Sequence, residues 1–300
     1  MSNEFHKKYR GVVAPVLTPF KEDKSIDFPT YEKFVDWLCE QKLNILFPMG
    51  GSGEYQTLSV DERKEIIDTV VNISKGRKLF IAGTGASCLK DTIELSKYAE
   101  KKGADGVGVV MPTDISDEKN ALFEYYKAVD DVISIPMMVY DPRGEGPHSA
   151  SPEWMRCLID ELKNLVAIKY RTVNGEFMGS MAREIAADIS ILSGAESVYL
   201  QDLSVGAVGC VGGGGNFYPN VMWELQDKFE KGDIITARKI QYKILEALEA
   251  LSKVYWPLCG KVVLQELGFP FKLVTRVKGS PFAEQDVENI RKYYRNILKL

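Results

Sequence analysis

Eight short apolar runs recur along the first 215 residues, and their spacing constrains the fold more than any other feature. They end near Leu17, Gly50, Gly83, Met111, Tyr140, Lys169, Ser193 and Val211. Most intervals are about 30 residues, the length of one strand–helix–strand unit. The runs are short and rich in β-branched residues, as buried parallel strands are. Helix signals fall between them. Asp27 caps a predicted helix through about residue 41, with Phe34, Trp37 and Leu38 on its apolar side. Ser59-Val60-Asp61-Glu62 is a capping box that opens a helix to about residue 74. Ser116 caps another to about residue 131, and Ser151-Pro152-Glu153 puts proline at the first helical position. Further helices are predicted near 90–102, 176–187 and 198–203.

Eight such units in one chain argue for an α/β fold closed into a (β/α)8 TIM barrel rather than an open sheet. Residues 1–215 are expected to form the barrel and carry the active site. Residues 216–300 are expected to form a C-terminal helical extension packed on it, clearest at 224–229, 234–251 and 283–298.

Composition narrows the function. The 300 residues carry a net charge of -4, and no lysine- or arginine-rich block is longer than a pair. Neither nucleic acid nor a membrane surface is expected as a partner. No apolar run approaches the roughly 18 residues of a membrane-spanning helix. The polar stretch Met1 to Arg10 lacks a signal-peptide core, so the expected location is cytoplasmic. Cys39, Cys88, Cys157, Cys210 and Cys259 are scattered and never form a C-x-x-C pair, which suits reduced thiols. The only histidines are His6 and His148. That argues against a metal site and leaves little histidine acid–base chemistry.

Functional groups of such barrels sit at the carboxyl ends of the strands. Lys169 closes the run Leu165-Val166-Ala167-Ile168. A lysine there is either a solvated strand end or a desolvated amine able to attack a carbonyl. Its apolar flank lowers the cost of the neutral form, and a neutral amine condenses with a ketone to an imine, an electron sink for carbon–carbon bond chemistry. Tyr140 ends the preceding strand and is placed to move the protons. Gly50-Gly51-Ser52-Gly53-Glu54 follows strand two. It is either a tight turn or an anion cradle in which Ser52 adds a hydroxyl. Its spacing is not a dinucleotide fingerprint, and no cofactor is expected. Gly212 to Gly215, after strand eight, fit a ligand wall or a packed turn. Tyr125-Tyr126 read as packing aromatics, Cys210 as a buried thiol, and Trp256-Pro257 as a helix boundary.

Five segments together resemble the dihydrodipicolinate synthase / N-acetylneuraminate lyase family. They are Gly11 to Phe20, Gly50 to Glu54, Tyr140-Asp141-Pro142, Ile168-Lys169 and Gly206-Ala207-Val208-Gly209. Their order and spacing follow the family along nearly the whole chain. The resemblance implies a (β/α)8 barrel, a homotetramer (or dimer), and a class I lyase acting on a 2-oxo acid. It implies a Schiff base of pyruvate or a related 2-oxo acid on Lys169, with Tyr140 as proton shuttle. It implies that Gly51 and Ser52 hold the carboxylate, that the backbone of Val211 lines the pyruvate pocket, and that Glu196 meets substrate hydroxyls.

The departures bear on substrate. Gly51 stands where the family has a hydroxyl residue, Thr113-Asp114 where it has a tyrosine pair, and the arginine after the tyrosine is brought close, at Arg143. Aldol-type cleavage or condensation on a sugar-derived 2-oxo acid is the expectation. The synthase reaction, dehydration of a 2-oxo-3-deoxy sugar acid, and non-catalytic oxo-acid binding stand beside it.

Overall fold

The computed structural model describes residues 8–112, 119–143, 149–279 and 282–297. Eight parallel strands close into one barrel in chain order, with β8 pairing back onto β1. They are β1 Gly11–Ala14, β2 Ile45–Leu46, β3 Leu79–Gly83, β4 Gly106–Val110, β5 Met137–Asp141, β6 Leu165–Tyr170, β7 Ser190–Ser193 and β8 Gly209–Val211. The expected barrel is therefore present.

Two strands are shorter than predicted, for local reasons. Pro15 has no N–H to continue the β1 ladder, so Val16 and Leu17 lie outside it, although Val16 N–H still reaches the Phe47 carbonyl at 3.1 Å. In β2 the chain turns away at Pro48, and Met49 takes a left-handed φ of 58°.

A helix follows each strand: α1 Phe28–Glu40, α2 Val60–Ser74, α3 Leu89–Lys102, α4 Lys119–Asp130, α5 Pro152–Glu161, α6 Gly175–Ile185, α7 Tyr199–Val205 and α8 Pro219–Glu230. The caps read from the sequence close as expected. Asp27 accepts from Thr30 N–H, Ser59 and Glu62 complete the capping box, and Ser151 accepts from Trp154 N–H. Each such cap contributes about 1 kcal/mol. Ser116 lies outside the described residues. α8 packs on β1 and α7, the place of the barrel's eighth helix, whereas the sequence pattern grouped it with the extension.

Three more helices follow: α9 Ile234–Leu251, α10 Leu258–Glu266 and α11 Glu284–Ile297. The sequence pattern missed α10. Every residue from Leu258 to Leu264 is buried, so no polar face marks a helical period. No helix among the described residues is long and apolar enough to cross a membrane.

Two cores result. One fills the space between strands and helices. The other fills the barrel interior and includes Val13, Ile45, Phe47, Ile81, Met138 and Leu192. Alternation along a strand puts Met138 and Tyr140 on the inner face of β5, and Ala167 and Lys169 on that of β6. The register Met138↔Ala167 and Tyr140↔Lys169 sets these residues side by side. Tyr125 and Tyr126 pack as read: their rings meet edge to face, and Tyr126 donates to the Val109 carbonyl at 3.2 Å.

Candidate active site

Lys169 occupies the last inward position of β6, where the barrel core ends at a cavity of about 850 Å³. Its side chain is 6% exposed. Nζ lies 3.9 Å from the centre of the Tyr140 ring and 5.6 Å from that of Phe47. No carboxylate among the described residues forms an ion pair with it. Burial therefore decides its charge. Loss of water pushes the ammonium down to about 7, with Arg171 adding to the fall and Cys210 opposing it. The aromatic faces favour a cation by only about 1–2 kcal/mol and do not offset the lost hydration. About half of such amines are neutral at pH 7, against roughly one in a few thousand for a free lysine.

Tyr140 is held by the same packing, its ring edge to face with Phe47 at 6.2 Å. Burial raises its phenol above the ordinary value, Arg171 opposes the rise, and Asp141 adds to it. The hydroxyl is thus a proton donor at neutral pH, not a standing phenolate. Among the described residues it has no hydrogen-bond partner. Position 51 explains part of this: a Cβ there would find only Tyr140 Oη, 3.5 Å away.

The loop after β2 divides into two functions. Gly53 is packed, since a Cβ would come within 2.9 Å of Met49 N and 3.1 Å of the Val16 carbonyl. Gly51 and Ser52 line the cavity, and their backbone N–H groups have no acceptor among the described residues. Free donors beside a cavity suit an anion. Ser52 Oγ accepts from Trp256 Nε1 at 3.0 Å. Glu54 turns the other way, into a buried ion pair with Lys261 at 2.8 Å.

Val211 and Glu196 complete the wall. The Glu196 carboxylate accepts from Gly214 N–H at 2.8 Å and from the Tyr218 hydroxyl at 3.1 Å. Burial pushes its carboxyl up to about 7 against these two hydrogen bonds. The glycine run after β8 is what admits it. A Cβ on Gly212 would sit 2.5 Å from Glu196 Oε2, and one on Gly213 would sit 2.4 Å from the Trp256 ring. The run is therefore both a packed turn and part of the cavity wall.

Of the residues singled out in the sequence, Lys169, Tyr140, Gly51, Ser52, Val211 and Glu196 meet at this cavity. Arg143 does not line it. Its guanidinium donates to the Pro112 carbonyl at 2.7 Å, and its backbone N–H donates to Asp141. Arg171, two residues past Lys169, lines the cavity and was not singled out. Its position just beyond a catalytic-type strand end was the available signal. Trp256 was read only as a helix boundary; it does precede α10, but it also reaches the cavity. Cys210 is fully buried, and burial raises its thiol well above the ordinary range, as an inert core thiol requires. His6, His148, Thr113 and Asp114 lie outside the described residues.

A closed (β/α)8 barrel with a desolvated lysine beside a tyrosine at the strand ends is the arrangement expected of a class I lyase. Comparison agrees. Residues 8–299 match the dihydrodipicolinate synthetase family. The chain is 30% identical over 289 residues to the 4-hydroxy-tetrahydrodipicolinate synthase of Fervidobacterium nodosum, covering 96% of this chain and 98% of that one. Among solved structures it superposes on YagE of Escherichia coli K12, a prophage protein of the dihydrodipicolinic acid synthase family in complex with pyruvate. The TM-score is 0.89 at 25% identity, over 97% of this chain and 99% of that one. Dihydrodipicolinate synthase of Aquifex aeolicus gives a TM-score of 0.88 at 26% identity, over 96% and 97% of the two chains. The chain belongs to the dihydrodipicolinate synthetase family of class I aldolases, and it is a lyase.

Proposed function

We propose that Lys169 forms a Schiff base with pyruvate or a related 2-oxo acid, and that the chain carries out aldol-type cleavage or condensation on a sugar-derived 2-oxo acid. The observation that carries this reading is the desolvated Lys169 amine lying on the face of Tyr140 at the cavity. The neutral amine attacks C2 of the oxo acid to give a carbinolamine. Tyr140 donates its proton to the C2 hydroxyl, which leaves as water, and the iminium remains. For a 4-hydroxy-2-oxo acid, loss of the C4 hydroxyl proton breaks the C3–C4 bond, releases an aldehyde and leaves an enamine. Protonation at C3 and hydrolysis return pyruvate and the free amine. The donors of Gly51 and Ser52 hold the carboxylate, the backbone of Val211 lines the three-carbon unit, and Glu196 meets hydroxyls further along the substrate.

A second reading is the 4-hydroxy-tetrahydrodipicolinate synthase reaction, favoured by the names of the relatives. It calls for a cation at the second substrate's carboxylate. Arg143 is tied to Pro112, and Arg171 is the arginine that lines the cavity. We take the assembly to be a homotetramer or dimer in the cytoplasm; light scattering of the purified chain in solution measures its mass and distinguishes these from a monomer. The deciding experiment is borohydride reduction in the presence of pyruvate. It should add a three-carbon fragment to Lys169, and absence of an adduct refutes the imine. A screen of 2-oxo acids and 3-deoxy-2-oxo sugar acids, with pyruvate release and water loss read separately, then divides cleavage from dehydration. Binding without turnover of any oxo acid would instead indicate a binding protein.

A further inference from the structure

We infer that Trp256, in the segment between α9 and α10, is a positioning residue for anion capture: its indole N–H makes Ser52 a committed hydrogen-bond donor toward the carboxylate of the 2-oxo acid. The inference rests on the imine reading above and adds to it a residue from outside the barrel. The contact joins positions 204 residues apart, Trp256 Nε1 donating to Ser52 Oγ at 3.0 Å. An indole nitrogen only donates, so Ser52 Oγ must accept there. A serine hydroxyl has one proton, and it otherwise rotates between donating and accepting. With an acceptor position filled, and no protein acceptor for that proton among the described residues, the O–H is left for a ligand in the cavity that both residues line. The backbone N–H groups of Gly51 and Ser52 add donors beside it. A rim made of donors favours a carboxylate over a neutral or cationic group.

The indole is held firmly enough to direct that bond. A Cβ on Gly213 would lie 2.4 Å from its ring and one on Gly260 would lie 3.3 Å away, so both glycines admit it. Phe217 packs at 6.2 Å between ring centres. The other end of the bond is held to the same region, because Glu54, two residues past Ser52, is ion-paired with Lys261 of α10.

The test measures borohydride trapping of pyruvate at Lys169 against pyruvate concentration, in wild type, Trp256→Phe, Ser52→Ala and the double variant. Loss of the indole N–H should raise the half-saturating pyruvate concentration about three- to tenfold, the range for one hydrogen bond. It should raise it more than it lowers the maximal trapping rate. In the Ser52→Ala background the same substitution should add less than about twofold, since the partner through which it acts is gone. An unchanged half-saturation in Trp256→Phe overturns the inference alone, while the imine stands. So does an equal effect in both backgrounds, which would mark Trp256 as packing only. No trapping in wild type overturns the imine reading and this inference with it. If the phenylalanine variant does not fold, Trp256→Leu is measured in the same way, with the same outcomes.

Discussion

Glu54 and Lys261, 207 residues apart in sequence, form a 2.8 Å ion pair whose side chains are 1% and 0% exposed. The second carboxylate oxygen accepts from Thr275 Oγ1 at 2.6 Å and from Arg276 N–H at 3.0 Å, and Lys261 also donates to the Val274 carbonyl at 2.7 Å. The loop that carries Gly51 and Ser52 is thereby fastened to the C-terminal segment. Glu54 adopts a left-handed φ of 57°, a strained conformation for a residue with a side chain, and this network holds it.

Removing one partner leaves a buried charge without its counterion. Lys261→Met should destabilise the protein by about 3–5 kcal/mol in urea unfolding. A loss below about 1 kcal/mol would show that the carboxylate is satisfied by Thr275 and Arg276 alone. The same variant should weaken pyruvate trapping, because the anion loop loses its anchor.

Lys169 links activity and stability to pH. Its amine is depressed from 10.5 to about 7 in the folded chain. The unfolded chain binds the proton more tightly, so the burial cost is complete below pH 7 and fades as pH rises from 7 toward 10.5. Lys169→Met should therefore be more stable than wild type, by on the order of 3–5 kcal/mol at pH 6, and the gain should shrink above pH 7. Urea unfolding at pH 6, 8 and 9.5 checks this; a gain independent of pH would refute it. The initial rate of imine formation should rise with pH and reach half its limit near pH 7.

Tyr140→Phe should leave pyruvate bound but slow imine formation about 10²–10⁴-fold, the usual contribution of a placed acid–base group. Rapid-quench trapping measures it. A loss below tenfold would assign proton transfer to another group. Since burial raises the phenol, the wild-type rate should show no alkaline limb from this group below about pH 10.

Gly51→Ser tests the open space beside that phenol. Nothing approaches the added Cβ more closely than Tyr140 Oη at 3.5 Å, so stability should change by no more than about 0.5 kcal/mol. The new hydroxyl would give Tyr140 a protein partner. Exchange of solvent deuterium into the methyl group of pyruvate, followed by NMR, should quicken several-fold. An unchanged rate would mean that the phenol is not limited by its missing partner.

Much of the fold could be read from local pattern. Strand–helix repeats, the Asp27, Ser59 and Ser151 caps and the inward alternation at Tyr140 and Lys169 depend on neighbours a few residues away. Adjacent parallel strands then bring Tyr140 beside Lys169 with little freedom, because one repeat separates them. Helix α10 was not legible, since its buried residues show no alternation of polar and apolar faces. Arg143 was read by its distance from Tyr140 in sequence, and the hydrogen bond to Pro112 that takes its guanidinium is not visible at that level.

The order of the chain by itself determined a barrel, a reactive-type lysine at a strand end and a phenol on the neighbouring strand, because short-range spacing and side-chain alternation dictate all three. Only the tertiary structure decided the state of that lysine and the wall around it. A depressed amine needs water removed from every side, and the groups that do this come from Phe47, Tyr140 and the strands beyond them. The contacts of Ser52 with Trp256 and of Glu54 with Lys261 span more than 200 residues, and such pairs form only when the closed barrel brings its C-terminal helices back over the loop.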